Sequence, residues 1–249
     1  MKITDKVFDL IYLIVSLFYP NKCPGCGVIN TENDGYLCEF CDKHIERIDQ
    51  GKRCVYCGLE KPNCNCNKFI YYFDSCVSAF KNNGIAQQAF YSFKFSRKIC
   101  YAPFFAGEMA TAVEKAYKNI KFDMIVPVPT SIKSVSKYGF SPVKELSFEL
   151  SDILDVPVNL KVLKCKQSKK PQHSGTLLQR VENVRGEFYS DRRLSGKKIL
   201  LVDDIKTTGS TLSECARVIK FAGADCVCCV TALATQHSVK DKKDSLKNT

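Results

Sequence analysis

Lys198-Ile199-Leu200-Leu201-Val202-Asp203-Asp204-Ile205-Lys206-Thr207-Thr208-Gly209-Ser210-Thr211-Leu212 decides the reading of the chain. An apolar run of strand type ends in two adjacent acids, and a hydroxyl-rich loop with one glycine then leads into a helix. Amides at a helix N-terminus point outward as an anion cradle, and Thr207, Thr208, Ser210 and Thr211, grouped about Gly209, add hydroxyl donors. A phosphate is expected there. Asp203 and Asp204, at the strand tip, suit the hydroxyls of the sugar that carries it, or a hydrated magnesium ion. Two carboxylates and four hydroxyls together exceed what a plain strand-to-helix junction needs.

The flanking sequence supplies a sheet for this junction. Cys76 to Phe80, Met124 to Val128 and Cys226 to Leu233 read as strands, and Ile85 to Phe93, Ala106 to Tyr117, Lys144 to Leu154 and Thr211 to Ala222 as helices. Such alternation predicts a parallel sheet with helices on both faces, with ligands beyond the C-terminal strand ends. In Pro127-Val128-Pro129-Thr130-Ser131-Ile132-Lys133 the prolines stiffen a strand exit, and its amides with Lys133 and the nearby Lys137 suit a pyrophosphate. Lys164 to Arg185 holds Lys166, Lys169, Lys170, Gln172, His173 and Arg180 among few apolar anchors, and is expected to be a lid that closes over anions. His173 reads as an exposed lid residue, not a catalytic one.

A separate unit precedes the sheet. Eight of the 15 cysteines fall in Cys23-Pro-Gly-Cys26-Gly, Cys38-Glu-Phe-Cys41, Cys54-Val-Tyr-Cys57-Gly and Cys64-Asn-Cys66. Each CxxCG knuckle aims two thiolates at one point, and its glycine allows the positive φ of the turn. Four pairs fill two four-sulfur shells with no position left for water, so zinc should hold structure and do no chemistry; iron-sulfur ligation is the rival. Sequential sharing of the ions is the simpler arrangement, and interleaved sharing stays open. Phe69, Tyr71, Tyr72 and Phe73 should pack this module on the sheet domain.

The 249 residues carry a formal charge of +11. The first 70 hold nine basic and nine acidic residues, so the excess falls on the remainder, with 28 and 17. A basic field favours polyanions, either a pyrophosphorylated sugar or single-stranded nucleic acid. Val7 to Tyr19 is apolar but contains Asp9, lacks a small-residue cleavage site and is too short for a membrane span. It reads as an amphipathic helix, and with reduced thiols the chain is expected to be cytoplasmic. The expected divisions are that helix (1–20), the zinc module (21–70), the sheet domain (71–236) and a basic tail (237–249).

With these segments in order, the chain resembles the ComF family (ComFC and GntX type proteins) from Phe18 to Ala234. The matching pieces are Phe18-Tyr19-Pro20, the four-pair cysteine module, Lys94-Phe95, Pro127-Val128-Pro129, Lys170-Pro171-Gln172, Arg180-Val181-Glu182-Asn183 and the DDxxTTGxT signature from Asp203 to Thr211. That signature is also similar to the one of type I phosphoribosyltransferases, in which two acids hold the ribose hydroxyls of phosphoribosyl pyrophosphate and the turn holds its 5-phosphate. The resemblance implies a type I phosphoribosyltransferase-like parallel sheet with flanking helices behind a zinc-ribbon module. It also implies a role in DNA uptake and natural transformation beside a helicase-like translocase, and a magnesium-dependent transferase chemistry whose acceptor it does not define. In that chemistry Asp203 and Asp204 orient the ribose, the 207–211 loop anchors it, and magnesium with the Pro127 to Lys137 loop draws off pyrophosphate. The other class is a non-catalytic nucleotide-sensing or single-stranded-DNA-binding adaptor, suited by the aromatics in basic surroundings from Tyr91 to Lys98.

Two stretches depart from what these resemblances imply. After Pro-Val-Pro the family usually reads Arg-Gly-Phe-Asn-Gln, whereas this chain has Tyr138-Gly139-Phe140-Ser141-Pro142, so the family's contacts there are not carried over. Thr207 stands where purine salvage enzymes commonly place an aspartate near the base.

Overall fold

The computed structural model describes residues 20–30, 36–64, 66, 70–130, 139–166 and 186–235. The expected N-terminal helix, the tail, and Lys133, Lys137, Lys169, Lys170, Gln172, His173 and Arg180 lie outside the described residues.

In chain order the elements are α1 (Glu39–His44), β1 (Ser75–Lys81), α2 (Gly84–Phe95), α3 (Ala102–Ala116), β2 (Met124–Pro127), α4 (Pro142–Leu154), β3 (Lys164–Cys165), β4 (Phe188–Tyr189), β5 (Lys198–Lys206), α5 (Ser210–Phe221) and β6 (Cys226–Ala234). Strands β1, β6, β5 and β2 form one parallel sheet in that spatial order. Alternation along β5 divides its side chains between two cores. Leu200 and Val202 pack with Phe105 and Met109 of α3 and Leu146 and Leu150 of α4, while Ile199 and Leu201 pack with Leu212, Cys215 and Ile219 of α5. Each such side chain contributes about 1.5–3 kcal/mol on burial. Covering helices on both faces explain why β5 and β6 are nearly continuous apolar runs.

Strand β5 runs further than its sequence suggested. It continues through both acids to Lys206, with Asp203 opposite Thr231 and Lys206 opposite Ala234. The acids therefore stand within the last part of a strand and not at its tip, because the nine-residue β6 keeps offering ladder partners. Helix α2 meets this end of the sheet at both of its own ends. Just before it, the Asn82 amide donates to the Ala234 carbonyl at 2.8 Å, and on its last turn Lys94 reaches Asp204.

The zinc module is bonded to the open edge of β1. Arg47 and Phe80 form an antiparallel bridge, the Ile48 amide donates to Ala79 and the Lys81 amide to Glu46, both at 2.9 Å. The guanidinium of Arg47 also clasps Glu108 of α3 at 2.7 Å. Among the described residues no helix is long and apolar enough to cross a membrane.

Candidate functional site

The phosphate-loop candidate is built at the start of α5. Gly209 caps the helix with φ of +80°, a backbone region where other residues are strained, and a Cβ there would fall 3.1 Å from the Tyr71 ring. Thr208 is buried, its hydroxyl 2.9 Å from that of Ser210, and its Oγ1 also accepts from the Ser210 amide. Thr207, Thr208, Gly209, Ser210 and Thr211 thus surround the first turn, whose N-terminal amides give it partial positive charge. Lys206, at 2% exposure, lies beneath the loop with its Cε 3.2 Å from where a Gly209 Cβ would fall.

The two carboxylates have different surroundings. Asp203 Oδ1 accepts from the Asp204 amide at 2.9 Å; burial first, and then the charge of Asp204, push its carboxyl well above the ordinary carboxylate range. Asp204 Oδ1 accepts from the Ile205 amide at 2.7 Å, and Oδ2 accepts from the Lys94 ammonium at 2.5 Å. Lys94 belongs to the Lys-Phe pair of the sequence, but nothing local in the sequence links it to an acid 110 residues later.

Beside these acids, β2 exits into Val128, Pro129 and Thr130. Val128 is buried and donates its amide to the Val202 carbonyl at 2.8 Å, which holds this exit against β5. Thr130 and Ser141 hydroxyls meet at 2.8 Å and tie together the two ends of the segment that holds Lys133 and Lys137. Gly139, with φ of +80°, leaves room for the Arg97 guanidinium, 3.0 Å from where its Cβ would fall, and Phe140 packs edge-on against Phe93 at 5.5 Å. Ser141 is the N-cap of α4, accepting from the Lys144 amide, and Pro142 opens the helix. This departure from the family pattern therefore has a local physical role as a helix start.

The expected lid differs at its beginning. Lys164 and Cys165 form β3, paired antiparallel with β4, and Lys164 meets Asp191 at 2.6 Å. The Lys166 amide donates to the Glu187 carbonyl at 2.8 Å, so the ribbon fixes this lysine's backbone too. At the other end, Gly186 donates its amide to the buried Glu214 of α5 at 2.8 Å, a contact the sequence reading missed. The aromatics of α2 divide: Phe90 and Phe93 are core, whereas Tyr91 and Phe95 are exposed and stand edge to face at 5.2 Å.

The cysteines assemble sequentially. Sulfurs of Cys23, Cys26, Cys38 and Cys41 lie within 4.8 Å of one another, and so do those of Cys54, Cys57, Cys64 and Cys66. Both knuckles use the same turn: Gly27 and Gly58 have φ of +77° and +72°, and their amides donate to the carbonyls of Cys23 and Cys54. Burial opposes ionisation of Cys23, but amides of Cys38, Cys26 and Gly25 outweigh it and hold its thiol down to about 7. Two four-thiolate sets fit structural zinc.

The fold and this module together define a phosphoribosyl transferase domain carried behind a double zinc ribbon. The family model described as "Phosphoribosyl transferase domain" matches residues 103–249, and the one described as "Double zinc ribbon domain" matches 14–72. Competence protein ComFC of Streptococcus pneumoniae is 26% identical over 201 residues, which cover 77% of this chain and 84% of that protein. Competence protein F of Haemophilus influenzae is 26% identical over 220 residues, covering 84% and 94%, and DNA utilization protein YhgH of Salmonella typhimurium is 23% identical over 216 residues, covering 84% and 94%. The chain belongs to the ComF family of phosphoribosyl transferase domain proteins.

Proposed function

We propose that this protein binds phosphoribosyl pyrophosphate or a related ribose 5-phosphate sugar and acts in the handling of DNA during uptake and natural transformation. The single observation that carries the ligand is the junction of the acid pair with the loop of Thr208, Gly209 and Ser210 at the start of α5. Its spacing suits a phosphate on the helix end and vicinal hydroxyls on the carboxylates. The names of the relatives, competence and DNA utilization proteins, support the setting.

In this reading Asp203 and Asp204 orient the ribose and residues 207–211 anchor the 5-phosphate. The amides about Val128 and Pro129, with Lys133 and Lys137, face the pyrophosphate, and Lys170, Gln172 and Arg180 close over it. Magnesium enters as the counter-ion of that pyrophosphate. Transfer would be a displacement at the anomeric carbon, with catalysis by positioning and charge stabilisation and no covalent protein nucleophile.

The exposed rings of Tyr91 and Phe95 favour a second reading, an adaptor that binds single-stranded DNA without turnover. Calorimetry with phosphoribosyl pyrophosphate and magnesium, beside a single-stranded DNA titration at two salt concentrations, ranks the ligands. Pyrophosphate release with any acceptor supports the transferase; binding without release supports the adaptor.

A further inference from the structure

Lys94 is delivered to the acid pair by a packed helix and not by a free arm. Phe90 and Phe93, on the same stretch of α2, are fully buried against Phe105, with ring centroids at 5.0 and 5.8 Å. The side chains of Lys94 and Asp204 keep 22% and 15% of their exposure. The other oxygen of Asp204 and one of Asp203 accept backbone amides, and both acids stand on a paired strand, so the two carboxylates are held side by side beneath Lys94.

A hard dication needs several anionic oxygens converging in a fixed geometry. Here one carboxylate already faces an ammonium, which repels an arriving cation at close range. Hydroxyl donors meet no such repulsion, since a carboxylate retains lone pairs while its salt bridge persists.

We infer that Lys94 sets the charge of the acid pair, so that the pair receives the vicinal hydroxyls of a phosphosugar and does not bind a divalent cation directly. Lys94 is a positioning residue acting through Asp204. The inference rests on the phosphosugar reading for its ligand, and its metal arm is independent of that reading.

The test titrates zinc-loaded protein with manganese alone, followed by electron paramagnetic resonance, and separately with ribose 5-phosphate alone by calorimetry. The unaltered chain should show no manganese site at the acids. Lys94→Met, which keeps length and packing but loses the charge, should gain one manganese site that Asp204→Asn in the same chain removes; Lys94→Gln serves if Lys94→Met does not fold. Lys94→Arg should gain none. Ribose 5-phosphate affinity should fall about tenfold in Lys94→Met and be retained in Lys94→Arg. Manganese bound by the unaltered chain and lost in Asp204→Asn overturns the inference, as does a folded, uncharged variant that gains no site. An unaltered chain that ignores ribose 5-phosphate overturns the phosphosugar reading instead, and leaves the manganese result standing.

Discussion

The Tyr71 hydroxyl donates to the Thr208 carbonyl at 3.0 Å, while its ring packs against the buried cluster of Ile48, Cys57, Leu59 and Ala234 and stacks on Phe73 at 4.7 Å. One side chain thus touches both the second zinc set and the phosphate loop. The Tyr72 amide adds a bond to Ser213 of α5 at 3.1 Å. Tyr71→Phe keeps the ring and removes the bond to Thr208, so it should cost about 1 kcal/mol of stability. Ribose 5-phosphate affinity should fall with zinc content unchanged. Calorimetry and metal analysis on one sample check both; unchanged affinity would show that the loop keeps its shape without this bond.

Asp204 meets hydroxyls, in the proposed complex, through charge-assisted bonds. Asp204→Asn should therefore weaken phosphoribosyl pyrophosphate binding by about 2 kcal/mol, roughly thirtyfold. Calorimetry measures this, with a thermal melt to establish folding. A folded variant with unchanged affinity would reduce the acids to residues of a strand end.

Asp203 gives a pH prediction of opposite sign to that of a salt-bridged acid. Burial and the charge of Asp204 raise its carboxyl in the folded chain, so the fold retains a proton that the unfolded chain releases near pH 4. Its stabilising contribution is complete below that pH and is lost as pH rises toward the raised folded value. Asp203→Asn cannot ionise and should flatten this part of the stability curve. At neutral pH it should melt higher, by about 2–4 °C for each kcal/mol regained, even as sugar affinity falls. Melts across pH 4 to 8 decide; parallel curves would mean the carboxyl ionises normally in the fold.

What the sequence reveals follows from how local each cause is. The CxxCG turns were legible because the positive φ of Gly27 and Gly58 is a property of the turn itself. The sheet was legible because its strands are apolar runs between helix patterns. The reach of β5 past Asp203 was not, since the length of β6 decides it. Ser141-Pro142 read as lost side chains, although an N-cap followed by proline is a helix-start signal that could have been recognised. Tyr71 packs the cysteine module on the sheet domain as its sequence position suggested, but its bond to Thr208, like that of Lys94 to Asp204, was not legible for a different reason. The partners of Lys94 and Tyr71 are 110 and 137 positions away, and only the packing of α2 and of the zinc module brings them to Asp204 and Thr208.

In the adaptor reading, the charge excess after residue 70 leads us to expect the single-stranded DNA contact on the sheet domain and not on the neutral zinc module. Replacing Lys166, Lys169 and Lys170 with Ala should flatten the dependence of log affinity on log salt by about two units, at roughly 0.7 for each lost phosphate contact. An unchanged slope, with binding abolished by deletion of 1–66, would assign nucleic acid to the zinc module.

The two zinc sets should differ in what they support, although both should be filled, at about two ions per chain. The first packs on the helical side: Tyr101 donates to the Lys22 carbonyl at 2.8 Å, and Gly25 leaves no space for a Cβ against Ile85. The second shares a cluster with Tyr71 and Ala234, and its Cys57 thiol, pushed up by burial, is partly drawn back by the Leu59 amide and then by the charge of Lys206 under the candidate phosphate loop. Cys23→Ser should therefore cost solubility before it costs sugar affinity, because metal binding is folding energy for its own ribbon. Cys57→Ser should lower the affinity while the sheet still melts cooperatively. Metal analysis, ribose 5-phosphate calorimetry and a thermal melt on the two variants separate these outcomes; equal affinity losses would mean that the ribbons act on the site as one body.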